Sequence, residues 1–120
     1  MNKIQALDAF WNSFSWPAFD ENSVPDDTPF PYITYETSSD DFGNTMYRSV
    51  NLWHRSSSWE DITKKEQSIA NKITRGGVMV PYDGGAILIQ KATPWAQRMS
   101  EPSDSMVRRI VLNVSMEFLD

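Results

Sequence analysis

Apolar residues recur along this chain with two periods. Over residues 3–14, Ile4, Leu7, Phe10, Trp11 and Phe14 repeat at spacings of three and four, which places them on one face of a helix. Pro17 ends that pattern. From 17 to 31, Pro17, Pro25, Pro29 and Pro31 stand among acids and serines, and this predicts a long irregular, acidic connection stiffened by its prolines. The period then changes to two. YITYE, Tyr32–Glu36, is β-branched and aromatic and predicts a strand. TSSDDFGNT is turn chemistry. In MYRSVNLWHR, Tyr47, Ser49, Asn51 and Trp53 alternate with Met46, Arg48, Val50, Leu52 and His54. The two runs predict a hairpin that buries Met46, Val50 and Leu52.

SSSWEDITKKEQSIANKITRGG carries helix signals at both ends. Ser57 with Glu60 three residues on has capping-box spacing. Glu60 and Asp61 lie near the positive end of the dipole and Lys72 and Arg75 near the negative end. Trp59, Ile62, Ile69 and Ile73 make the apolar stripe, and Gly76 and Gly77 supply the closing left-handed turn. VMVPY, DGG and AILIQ then predict a tight hairpin, with Pro81 restricting its first arm to a sheet edge or bulge. From about Met106 to Leu119, Ile110, Leu112, Val114, Met116 and Phe118 alternate with Arg109, Val111, Asn113, Ser115 and Glu117: a long strand with one apolar face. The connection between these strands, residues 91–105, holds Trp95, Gln97, Arg98 and Met99, where loops ordinarily use small polar residues. The predicted order is α-β-β-α-β-β, a single α+β domain over 1–120 with a mostly antiparallel β-sheet and helices packed on one face.

Composition narrows the function classes. The chain has 120 residues, no cysteine and one histidine, so disulfides, thiol catalysis and thiolate metal sites are excluded. No apolar run approaches the roughly 18 residues that span a bilayer. MNKIQALDAFWNSF has Asp8 in its middle and no small-residue cleavage site, so it reads as a helix rather than a signal peptide. The net charge is −5, unevenly divided: −7 over residues 1–45 and +2 over 46–120. Seven acids and no base lie between Asp20 and Asp41. A chain so charged, without a basic stripe, is poorly suited to gripping phosphates.

The residues offer little catalytic chemistry. His54 sits in a strand between Trp53 and Arg55 and reads as structural. The pairs Asp26-Asp27 and Asp40-Asp41 lie in turn-like stretches, whereas general acid–base work needs a carboxyl in a desolvated pocket. RGG follows a helix and reads as a cap, and no Walker spacing exists. DDFGNT lacks the alternating ligands and closing Glu of a calcium loop. Neither an enzyme nor a metal or cofactor site is predicted.

One constellation resembles a known family. A strand ending VNLWHRSSSWEDI leads into a helix and then GG. The paired unit GGAILIQ is followed by a connection with Gln and Met, and RRIVLNVSMEFL closes the chain. Over roughly residues 32–120 this resembles the tail terminator, or tail completion, proteins of long-tailed bacteriophages and related prophages. The resemblance implies an α+β sheet flanked by helices. It implies a structural protein without cofactor or metal, forming a hexameric ring that ends tail-tube growth and joins tail to head. The implied partners are other copies of the chain, the tail tube protein and a neck or head-completion protein. DNA passes through without specific binding, no membrane is involved, and the place is the virion neck after assembly in the host cytoplasm. In such a ring Trp95, Gln97, Arg98, Met99, Arg108 and Arg109 are candidates for the subunit or tube interface, because interfaces favour Trp, Met and Arg. Asp26, Asp27, Asp40 and Asp41 are candidates for an acidic channel or rim that repels phosphate. Two alternatives stand beside this reading: another neck ring or the tube subunit itself, and a monomeric acidic inhibitor of a basic protein.

Overall fold

Asn2 begins the first helix. Its Oδ1 accepts the Gln5 backbone N–H (2.8 Å) and Gln5 Oε1 accepts the Asn2 N–H (3.0 Å), a capping box that the apolar pattern did not reveal. The computed structural model describes residues 1–37 and 45–119, so most of the predicted turn at 37–45 lies outside the described residues, Asp40 and Asp41 included. Helix α1 spans Lys3–Asn12 and buries Ala6, Leu7, Phe10 and Trp11, with Phe14 buried just beyond. Ile4, assigned to the same apolar face, is instead 47% exposed. Phe10 meets both Trp11 and Phe14 edge-on.

The chain then departs from its predicted order. Ala18–Asp20 forms a short strand, β1, inside the segment read as wholly irregular. It pairs in parallel with β2 (Tyr32–Tyr35), Ala18 opposite Ile33. Asn12 holds the entry to β1: its side chain accepts the Ala18 N–H (2.9 Å) and donates to the Ala18 carbonyl (3.2 Å). β2 pairs antiparallel with β3 (Met46–Arg55) as the alternation predicted, Tyr32 opposite Trp53.

Helix α2 (Glu60–Lys72) buries Ile62 and Ile69, and Ile73 is buried at its C-terminal end. The Ser57–Glu60 capping box does not form. The N-cap is Trp59, two residues beyond Ser57, and Ser58 Oγ accepts the Glu60 N–H (3.0 Å) instead. The two glycines do not close α2, whose C-cap is Ile73; Gly77, at φ +89°, lies in the following turn and donates its N–H to the Thr74 carbonyl (2.8 Å). A Cβ there would lie 2.7 Å from Gln90 Cγ and 2.8 Å from the Ile89 carbonyl oxygen, so the site also needs glycine for space.

β4 (Val78–Tyr82) and β5 (Gly85–Met99) form the predicted hairpin, and β4 is an edge strand, as Pro81 requires. The connection read at 91–105 is largely strand. β5 runs on to Met99, its register shifting between Lys91 and Ala96, after which Ala96 to Met99 pair with Leu112 to Arg109. Pro94 interrupts the alternation inside that irregularity, so the second half of the strand has no legible period. β6 (Val107–Leu119) lies between β5 and β3.

The sheet order is β1-β2-β3-β6-β5-β4, every pair antiparallel except β1–β2, and the element order is α-β-β-β-α-β-β-β. On one face Ile33, Val50, Leu52, Ile87, Ile89, Leu112, Val114 and Met116 join the buried residues of both helices in a single core. The opposite parity remains half exposed.

Candidate interaction surface

The register lines up one row across four strands on the face opposite the core. Tyr32 lies beside Trp53, Trp53 beside Arg109, and Arg109 beside Met99. The Tyr32 and Trp53 rings are nearly parallel, 6.2 Å between centroids. Phe19 and Phe30 flank Tyr32 at 6.4 and 5.4 Å. The Arg109 guanidinium lies 5.0 Å over Trp53. It donates from Nε to Asn51 Oδ1 (2.8 Å) and from a terminal nitrogen to Glu101 Oε1 (3.0 Å). Trp53 Nε1 donates to Thr34 Oγ1 (3.0 Å). Partial burial pushes the Tyr32 hydroxyl pKa up from its ordinary value. The Trp53 and Arg109 donors are engaged by the neighbouring Thr34, Asn51 and Glu101 side chains, while Phe30 and Met99 at the ends of the row are each 38% exposed.

The six residues assigned from the sequence to one interface divide between the two faces. Gln97, Met99 and Arg109 belong to the open face, with Gln97 opposite Val111. Trp95, Arg98 and Arg108 turn to the helix side. Trp95 Nε1 donates to Glu66 Oε1 of α2 (2.7 Å), its ring is half-buried against the core, and Lys91 Nζ lies 5.6 Å over it. Trp95 thus already has a partner within its own fold. Arg98 and Arg108 both stack on Trp59, at 4.8 and 5.2 Å from the ring centre. With Met99, Ser100 and Ser105 these three residues line an open concavity of about 530 Å³. The sequence pattern assigned Trp59 to the apolar stripe of α2 and Tyr32 and Trp53 to strands, and placed none of these or Phe30 at an interface. The signal for Trp53 was present, since it shares the parity of Ser49 and Asn51 rather than that of the buried positions.

Asp26 and Asp27 are exposed on the segment after β1. Asp27 adopts a positive φ of 60°, and Thr28 Oγ1 donates to the Pro25 carbonyl, closing the turn around both carboxylates. His54 is half-buried between the Trp16 ring (5.6 Å) and Asp61, whose carboxylate is 3.6 Å from Nε2. Asp104 accepts the Met106 N–H (2.9 Å) and pairs with Arg55 Nε (3.0 Å), and these bonds hold its carboxyl below the usual range.

Among the described residues no group of three or more His, Cys, Asp or Glu side chains is placed to hold a metal ion. Nor, among the described residues, is any helix long and apolar enough to cross a membrane. The chain matches no protein-family model, no curated protein and no solved structure.

Proposed function

We propose that this chain is a structural subunit that assembles into a closed ring of the tail-terminator kind, ending a phage tail tube and joining it to the head. The observation that carries this reading is the row Tyr32, Trp53, Arg109 and Met99 on the sheet face opposite the core. A sheet usually covers one face and solvates the other with polar residues. Here the second face carries aromatic rings, an arginine and a methionine, the residue types enriched where proteins meet. The Trp53 and Arg109 donors already bond to Thr34, Asn51 and Glu101 beside the row, so covering it leaves few polar groups stranded. The resemblance over residues 32–120 supplies the kind of assembly: copies of the chain around the ring, the tube protein below, a neck protein above, and DNA passing through unbound.

Sedimentation velocity over a concentration series, followed by electron microscopy of tail tubes assembled with and without the chain, tests the reading. A hexameric ring in solution or at tube ends is the expected result. A chain that stays monomeric at every concentration and leaves tube ends bare overturns it.

A further inference from the structure

The concavity over Trp59 holds two cations that lack anions. Arg98 has one hydrogen bond, a long one to Thr63 Oγ1 (3.4 Å), and otherwise stacks on the indole. Arg108 donates from Nε to the Ser56 carbonyl (3.0 Å) and from a terminal nitrogen to the Ser57 carbonyl (3.1 Å). Neither guanidinium pairs with a carboxylate among the described residues. Of the nearby acids, Glu101 lines the concavity but is paired with Arg109, and Asp104 is paired with Arg55. A guanidinium carries five donors in a rigid fork, so each of these keeps donors free. The ring beneath them and the carbonyl clamp on Arg108 restrict their motion before any ligand arrives. Two unneutralised guanidiniums over one ring, beside the Ser100 and Ser105 hydroxyls, suit a carboxylate.

The same molecule presents the complementary group. Asp26 and Asp27 are exposed, and neither side chain has a hydrogen bond or ion pair among the described residues. Pro25, Pro29 and the Thr28 bond to the Pro25 carbonyl constrain the turn that carries them. The two features are attached to strands far apart in the sheet order. The turn follows the edge strand β1, whereas Arg98 is on β5, four strand steps away in the order β1-β2-β3-β6-β5. At about 4.8 Å per step that separation is roughly 19 Å. A patch that matches a different patch of an identical molecule makes a head-to-tail contact, which closes into rings when the rotation permits.

We propose that the Trp59 concavity is a carboxylate socket, and that its occupant is the Asp26–Asp27 turn of a second copy of this chain. This rests on the self-assembly reading and names the contact that sets its direction. The test is charge reversal followed by its restoration, read as self-association by sedimentation velocity, with a melting curve for each variant. Arg98→Glu alone, and Asp26→Lys with Asp27→Lys, should each weaken association about tenfold or more, and more so at low salt. The chain carrying all three changes should associate more strongly than the Asp26→Lys, Asp27→Lys chain, because one of the two socket cations is then replaced by a carboxylate that faces Lys. If Arg98→Glu lowers the melting temperature, Asp26→Asn with Asp27→Asn reads the same contact from the other side. An assembling parent whose reversed variants assemble equally well overturns the socket and leaves the ring standing. A triple variant that associates no more strongly than the Asp26→Lys, Asp27→Lys chain also overturns the socket. A parent that never associates overturns both.

Discussion

Two side chains show how single residues are committed here. Trp95 attracts attention in the sequence because it lies between two strands, but its indole N–H is already bonded to Glu66 on α2. Trp95→Phe keeps most of the ring and removes that donor. It should lower stability by about 1–2 kcal/mol in thermal or urea unfolding, and by little more when Glu66→Gln is added, since the two changes break one bond. Additive losses would mean that the bond is not what holds Trp95. Asp104 carries a pH dependence. Its pKa is lowered from the ordinary value of 3.8, first by the Met106 N–H and then by Arg55. A depressed native pKa means that the unfolded chain takes up the proton first as pH falls. The contribution is therefore complete above about pH 3.8 and is lost as pH falls through the lower native value. Asp104→Asn should lower the melting temperature at neutral pH, and the gap to the parent should close in acid. A gap that is the same at pH 7 and at pH 2 would show that the charge is not responsible.

At the scale of elements, the periods carried most of the architecture. The buried alternate positions of β3 and β6 and the isoleucines of α2 are where their spacing placed them. Ile69 and Leu112 are both fully buried in the shared core, so truncating either to Ala should cost about 2–5 kcal/mol through the cavity left behind. A melting curve unchanged from the parent's would remove that residue from the core. Gly77→Ala should also destabilise, since it meets both a positive φ and the Ile89 carbonyl. What the periods missed has physical causes. β1 is three residues long and is held by parallel pairing with β2, so it has too few positions to show alternation. The second half of β5 is disguised by its register shift and by Pro94, and it is positioned by the ladder with β6. The helix start at Asn2 is set by polar capping bonds that an apolar stripe does not encode, although Asn-x-x-Gln stands in the sequence. The candidate surface was only half legible for the same kind of reason. Parity identifies which residues share a face of one strand. The row Tyr32, Trp53, Arg109 and Met99 depends on register between segments far apart in the chain, and no local pattern encodes that.

At the scale of the whole molecule, charge and shape make the acidic turn the most informative place to intervene. If the chain forms the proposed ring around DNA, its acidic segment suits a channel wall, where like charge keeps the phosphates from binding. The same segment also suits the arginine socket of a neighbouring subunit. These placements demand opposite behaviour from Asp26→Lys with Asp27→Lys. Both carboxylates are exposed on a closed turn, so the fold should survive, at a cost of about 1 kcal/mol because Lys tolerates the positive φ at position 27 less well than Asp. On a channel wall, the reversed charges leave the ring intact and turn a repelling surface into one that holds DNA, with salt-dependent retention. In the socket, they bring lysines against Arg98 and Arg108, and the ring fails before DNA is involved. Because Arg98 and Arg108 are stacked on Trp59 without a carboxylate, we expect the second behaviour: folded protomers, no ring, and stronger association when Arg98→Glu is added. Rings that form normally and slow the passage of DNA would assign the turn to the channel and return the socket to solvent.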